Sequence, residues 1–312
     1  MFARIYLMVQ KIALSVIIIS YNTCEITKEC LSRLIPAIRQ FEQSVGLKIE
    51  VILVDNNSSD GTADIVKKNY PWVRLIVSKE NLGYAKANNL AMKKARGKYF
   101  LLLNSDAFVR KNTLVKTWRF GGDNKYDVVA CRLNYKNEEL QPSAGFLPNP
   151  LNITTWMLGI ANFPLIRNLA PPVHVKYPAF FKKPREIGWA MGAFMFLKRE
   201  VFEITGGFDE YYFMYTEEVE WFKRIHDLGF KVMYTPNFSI IHLDKASSGG
   251  DNSRAIIAEK TGLIYYSKKH LSGWTGYIRL LIYLGSFWRT VGFIALGRPR
   301  QALAHKKVLK SI

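Results

Sequence analysis

The chain has 312 residues, 49% of them apolar, and a formal net charge of +19. That composition excludes a disordered or fibrous chain and leaves room for one large or two ordinary domains with a full core. The charge requires an anionic counterpart, whether nucleic acid, the anionic leaflet of a membrane or a phosphate-bearing substrate. It is concentrated at the end, where residues 251–312 hold eleven Lys and Arg against Asp251 and Glu259.

Cys24, Cys30 and Cys131 have no metal-site spacing and read as reduced thiols of a cytosolic protein. No run of about 18 uncharged apolar residues is present, so a simple membrane span is not expected. Residues 1–14 read as a native N-terminal extension rather than a signal peptide, because Gln10 and Lys11 break the apolar run and no small-residue cleavage site follows.

In chain order, Leu14 to Ser20 is a β-branched run that predicts a buried strand ending at Tyr21-Asn22. A helical stripe of Leu31, Leu34, Ile35 and Ile38 follows from about Cys24 to Glu42, with Thr23 at its N-cap. Glu50–Val54 predicts a second strand, ended by the polar loop Asp55–Gly61, and Asp60 is placed to cap the helix that runs through Lys68. Trp72–Val77 predicts a third strand, followed by Asn81-Leu-Gly83 and an Ala-rich helix to about Ala95. Lys98–Leu103 predicts a fourth, which ends on Asn104 and Asp106.

Strand alternating with helix predicts βαβ units, right-handed crossovers and a parallel sheet flanked by helices. Four polar strand ends then share one sheet edge, where open α/β sheets place ligands. Asn104 and Asp106 are oxygen donors of the kind that suits Mg²⁺ or Mn²⁺ carrying a diphosphate. The competing reading is that they open a turn.

Beyond Asp106 the pattern weakens. Thr113–Phe120 reads as a helix and Asp127–Leu133 as a strand, and prolines then recur from Pro142 to Pro184 in a long surface excursion. A strand is expected over Ile187–Leu197, a turn at Gly206–Glu210, a helix over Thr216–Gly229, and short strands over Lys231–Tyr234 and Ser239–His242. Two helices, at about Asn252–His270 and Trp274–Leu296, close the chain. The second is basic and aromatic-rich, which suits a membrane interface, packing on the domain, or a homodimer contact.

The segments Val16-Ile-Ile-Ile-Ser-Tyr-Asn22, Val54-Asp-Asn-Asn-Ser-Ser-Asp-Gly-Thr62, Asn81-x-Gly-Tyr-Ala-x-Ala-Asn-Asn89 and Leu103-Asn-Ser-Asp106 resemble the family 2 glycosyltransferases of the GT-A fold. Gly206-Gly-Phe-Asp-Glu210 and Tyr215-Thr-Glu-Glu-Val-Glu-Trp221 resemble the acceptor-side motifs of its rhamnosyltransferase-like branch. The resemblance implies a GT-A domain over residues 15–250, with a nucleotide half to about 110 and an acceptor half beyond it. The N-terminal extension and the basic C-terminal helical region, 251–312, lie outside it.

It further implies that Asp55, Tyr21 and Asn22 hold the base and ribose of a dTDP- or UDP-sugar. Asn81, Gly83, Asn88, Asn104 and Ser105 would complete the nucleotide-sugar site, with Trp189 and Gly192 shaping the pocket. Asp106 would bind Mg²⁺ or Mn²⁺, and His242 would complete the metal shell. Glu217 and Glu218 match an acidic pair whose second member is the catalytic base. The family often has Asp at the position of Asn104, and an Asp more commonly than a Glu at that of Glu218.

The implied activity is inverting, metal-dependent sugar transfer to a glycan or polyprenyl-linked acceptor in cell-surface polysaccharide synthesis. It would take place in the cytoplasm or on the inner face of the plasma membrane. A sugar-nucleotide pyrophosphorylase would want a glycine-rich basic loop after the first strand, which Tyr21-Asn-Thr-Cys-Glu25 does not supply. A non-catalytic basic module for membrane or nucleic acid would have no use for Asp55, Asp106 and Glu218, and no RNA-binding motif is present.

Overall fold

The computed structural model describes residues 12–122, 126–243 and 253–312. Most of the N-terminal extension, and Asp251 and Asn252, lie outside the described residues.

Four aliphatic runs form the first half of the sheet, β1 (Ile12–Ser20), β2 (Lys48–Asp55), β3 (Val73–Val77) and β4 (Tyr99–Asn104). They pair in parallel in the order β3-β2-β1-β4. The crossovers are α1 (Cys24–Val45), α2 (Thr62–Asn69) and α3 (Gly83–Lys94). Because successive side chains point to opposite faces, each strand feeds two cores. Val16, Ile18, Leu53 and Leu101 meet Leu31 and Leu34 of α1 on one side. On the other side, Ile17, Ile52 and Leu102 share a core with Ala87 and Ala91 of α3.

The second half begins with β5 (Ala107–Phe108), α4 (Thr113–Gly121), β6 (Val128–Asn134), β7 (Leu140–Gln141) and β8 (Ala144–Gly145). The proline-rich stretch is not featureless: it forms α5 (Pro150–Met157), α6 (Pro164–Leu169) and a 3₁₀ turn at Pro178–Lys182. Pro150 and Pro164 sit in the first turns of their helices, where a missing N–H costs nothing.

The strand expected over Ile187–Leu197 is two. After β9 (Arg185–Glu186), β10 (Trp189–Ala190) pairs with β8 in a small second sheet. The chain then breaks at Gly192, and β11 (Phe194–Lys198) enters the main sheet antiparallel, between β4 and β6. Helices α7 (Arg199–Thr205) and α8 (Glu217–Asp227) follow. The two strands expected between Lys231 and His242 are one, β12 (Val232–His242). Its ladder with β6 shifts register between Thr235 and Ser239, around Pro236, which has no N–H to donate. The sheet is therefore mostly parallel, as expected, with antiparallel insertions.

Three helices, not two, follow: α9 (Ser253–His270), α10 (Thr275–Ala295) and α11 (Pro299–Ser311). Gly297 at φ +66° and Pro299 separate the last two. Leu263 and Tyr266 of α9 are buried in the same core as Trp221 of α8. Ile278, Ile282, Ser286 and Thr290 of α10 are buried at a four-residue spacing, on a helix that packs against α5, α9 and α11. Its other face exposes Tyr283, Phe287 and Trp288. By length and composition Ser272–Ala295 is long and apolar enough to cross a membrane, although Arg279 and Arg289 keep it from being the uncharged run that a simple span would show.

Candidate functional site

The carboxyl ends of β1, β2 and β4 open on a cavity of about 370 Å³. Tyr21, Asn81, Gly83, Asn104, Ser105 and Asp106 line one side, and Trp189, Glu217, Glu218 and His242 also line it. The remaining expected site residues stand behind these walls. Asn22, at φ +51°, accepts a hydrogen bond on Oδ1 from the Ser59 N–H at 2.8 Å and so ties the loop after β1 to the loop after β2. Asp55 is buried, and its Oδ2 accepts from the Ser58 N–H at 3.2 Å while Oδ1 is enclosed without a partner. A buried carboxylate oxygen in that state is a standing acceptor for a ligand donor. Asn88 lies inside α3, where its Nδ2 donates to the Tyr84 carbonyl at 2.9 Å.

Thr23 is the N-cap residue of α1, yet its side chain makes no capping bond. Its hydroxyl instead meets the Ser105 hydroxyl at 3.2 Å, linking the end of β1 to the end of β4. Asp60 does two jobs: Oδ1 accepts from the Thr62 N–H at the start of α2 at 3.1 Å, and Oδ2 from the Cys24 N–H at the start of α1 at 2.8 Å. Asn56, unremarked in the sequence, orders the third loop by donating to Asn81 Oδ1 and accepting from the Leu82 N–H. Gly83 is required at the entry to α3: at φ +75° a Cβ would stand 2.4 Å from the Phe213 carbonyl oxygen.

On the floor of the cavity, His242 Nε2 stands 3.2 Å from Asp106 Oδ1 and 3.4 Å from Asn104 Nδ2. Its Nδ1 lies 3.0 Å from Gln141 Oε1. An amide oxygen only accepts, so Nδ1 carries a proton, and Nε2 faces the carboxylate either with a second proton or with a lone pair free for a cation. Two lone-pair donors this close need a proton or a cation between them, which is the donor chemistry of a divalent metal site. Asp106 and His242 thus fit a metal. No group of three or more His, Cys, Asp or Glu side chains among the described residues is placed to hold a metal ion, so phosphate oxygens of a ligand would have to complete the shell.

The acidic pair sits in the first turn of α8, behind two non-glycine residues held in the left-handed region, Tyr215 at φ +71° and Thr216 at φ +74°. Strain of this kind persists where surrounding structure over-determines it. Glu217 is buried with Oε2 unpartnered, and burial followed by the Glu218 charge pushes its carboxyl well above the ordinary range. Glu218, half-buried in the cavity wall, is also pushed up by burial. One turn on, burial would raise Glu220 too, but hydrogen bonds from His270, Arg224 and Lys269 outweigh it and hold this carboxyl down to about 2. Glu220 anchors α8, while Glu217 and Glu218 are left for the cavity.

Gly192 positions Glu218. Its N–H donates to Glu218 Oε1 at 3.1 Å and its carbonyl accepts from the Tyr84 hydroxyl at 2.9 Å. A Cβ at this position would lie 2.4 Å from that hydroxyl. Trp189 is fixed by an indole N–H bond to the Val173 carbonyl at 2.7 Å. Trp156, His174, Glu259 and Leu263, from α5, the proline-rich stretch and α9, also line the cavity and carried no sequence signal.

Comparison with known proteins agrees with this geometry. The family model for glycosyl transferase family 2 matches residues 15–204. An N-acetylglucosaminyl-diphospho-decaprenol L-rhamnosyltransferase of Mycobacterium tuberculosis is 26% identical over 300 residues, covering 84% of this chain and 87% of that protein. A poly(ribitol-phosphate) beta-glucosyltransferase of Bacillus spizizenii is 25% identical over 212 residues, 64% of this chain and 32% of its own length. Among solved structures, the mannosyltransferase PcManGT from Pyrobaculum calidifontis in complex with GDP-Man and Mn²⁺ superposes with a TM-score of 0.55 at 18% identity, over 93% of this chain and 73% of that one. TarS 1–349 of S. aureus in complex with UDP-GlcNAc gives 0.54 at 16% identity, over 96% of this chain and 91% of that one. The fold is GT-A, and with the family's model matched over most of its length the chain belongs to glycosyl transferase family 2.

Proposed function

We propose that the enzyme transfers a sugar, with inversion, from a UDP- or dTDP-sugar to a hydroxyl of a polyprenyl-linked or polymeric glycan, with Glu218 as the base. The observation that carries this reading is a half-buried carboxylate of raised pKa that lines the same cavity as the Asp106–His242 pair. A general base needs a pKa lifted toward the working pH, and burial does this for Glu218. The Gly192 N–H fixes one carboxylate oxygen and leaves the other for the acceptor hydroxyl.

Asp106 and His242 would hold Mg²⁺ or Mn²⁺, which when bound neutralises charge on the departing diphosphate. Asp55 Oδ1, buried and unpartnered, would accept from the base, and Tyr21 and Asn81 would flank base and ribose. The lipid-linked acceptor named for the mycobacterial relative supports the acceptor class, and the Mn²⁺ and nucleotide sugars of the solved neighbours support the donor side. The exposed aromatic face of α10, with the basic residues of α11 beyond it, supports peripheral binding at the inner face of the plasma membrane.

The test is a thermal-shift series with UDP, dTDP and GDP, each with and without Mn²⁺. The expected outcome is stabilisation by UDP or dTDP that requires the metal and disappears in Asp106→Asn. Absence of any metal-dependent shift refutes the donor site.

A further inference from the structure

Beyond the wall formed by Trp156, His174 and Glu259 lies a second cavity of about 360 Å³, which shares those three residues with the first. None of the expected donor-side residues lines it. Its own lining adds Lys176, Lys260, Arg289 and His305. The charge there is unbalanced. Among the described residues Glu259 is its one carboxylate and is already engaged, with Oε2 3.1 Å from Lys260 Nζ and Oε1 3.0 Å from His174 Nε2.

Lys260 is 5% exposed and lies 3.4 Å over the Trp156 ring. Among the described residues Arg289 donates only to main-chain oxygens, of Trp156 at 3.0 Å and Gly285 at 3.2 Å. Lys176 has no carboxylate partner among the described residues. His305 is 7% exposed, and its Nδ1 is enclosed with no hydrogen-bond partner among the described residues. Enclosing the Lys260 ammonium and the half-buried Arg289 guanidinium around one carboxylate that is already paired is costly unless a further anion joins them. Burial, with Arg289 and Lys260 close by, pushes His305 down to about 4, as expected of a cation-crowded enclosure.

We propose that this second cavity binds a phosphate or diphosphate group on the acceptor side of the enzyme. Its role as an acceptor subsite rests on the transferase reading given above; its capacity to bind the anion does not. Arginine and lysine meet phosphate oxygens with charge-assisted bonds, and the imidazole of His305 supplies a further donor. The two cavities adjoin at Trp156, His174 and Glu259, so an anion held by Lys260 and Arg289 would place its attached sugar next to the cavity that Glu218 lines. Arg289 is carried by α10, whose outer face exposes Phe287 and Trp288. A prenyl chain on the same diphosphate has an apolar surface to lie along.

The experiment is calorimetric titration of the full chain, saturated with Mn²⁺ and UDP or dTDP so that the donor site is closed. Farnesyl diphosphate, farnesol, inorganic pyrophosphate and inorganic phosphate are the titrants. Farnesyl diphosphate is expected to bind, farnesol not to, and Arg289→Gln and Lys176→Gln each to raise the dissociation constant about tenfold. Lys176 is exposed, so its variant keeps the test sound if Arg289→Gln folds poorly. Pyrophosphate binding as tightly as farnesyl diphosphate supports the anion site and assigns it a free anion rather than a lipid. Affinity for farnesyl diphosphate unchanged in both variants overturns the proposal. Loss of the metal-dependent nucleotide shift while anion binding persists strikes the transferase reading alone.

Discussion

The donor wall of the cavity is made of strand ends from the first third of the chain, each tied to the next by short loop contacts such as Asn22 to Ser59 and Asn56 to Asn81. The opposite wall draws on α5, the proline-rich stretch, α8 and α9; its α8 carboxylates, Glu217 and Glu218, are raised by burial, whereas Glu259 of α9 is paired with Lys260 and His174. One wall is cross-linked by its own loop hydrogen bonds and keeps Asp55 Oδ1 as an unpartnered acceptor. The other holds reactive groups in an unfavourable state until substrate arrives. That division suits a transferase, whose leaving group must be gripped and whose base must not be.

Three variants test the division. Glu218→Gln removes the base and is expected to lower transfer by about 10²- to 10⁴-fold while leaving metal-dependent nucleotide binding intact. The same role sets a pH rule: because burial raises this carboxyl, kcat/KM falls as pH drops through a value above the ordinary glutamate 4.5. A near-normal rate in Glu218→Gln would move the base elsewhere.

Gln141→Leu leaves both proposed metal ligands in place but frees the His242 ring, and the expected weakening of Mn²⁺ affinity is about 10- to 100-fold. Unchanged affinity would show that the Gln141 contact does not orient His242 for the metal.

The smallest effect is one of sign. Glu217 has a folded-state pKa above its unfolded 4.5, so its contribution to stability is fully present below that value and is lost as pH rises through the raised one. Glu217→Gln should therefore gain on the parent between pH 5 and pH 8, by on the order of 2 °C in Tm. A melting difference that stays flat over that range would mean Glu217 is paired in solution.

The donor wall was legible because it is local. A run such as Tyr99–Leu103 predicts a buried strand, a parallel strand must end at the ligand edge, and the next polar residues then fall there without further information. The place of Asp106 at that edge needed nothing more, while its proposed role came from the family resemblance. The break at Gly192 was not legible, since Ile187–Leu197 reads as one strand, and only the β8–β10 pairing shows why the chain must turn to bring an N–H to Glu218. Gln141 and Glu259 are ordinary polar residues whose significance lies in contacts across long separations. The third C-terminal helix was hidden by Gly297 and Pro299, which read as an ending and prove to be a joint.

The placement of β11 has a bearing on how the protein is made. Once residues up to Phe108 have left the ribosome, β4 can pair with β1 on one side only; its other partner, β11, begins some 90 residues later. At roughly 5–20 residues per second of synthesis, the apolar edge Tyr99–Leu103 stays open for several seconds, long enough to pair with another nascent chain. Yield on overexpression should then depend on chaperone supply more than on the final melting temperature.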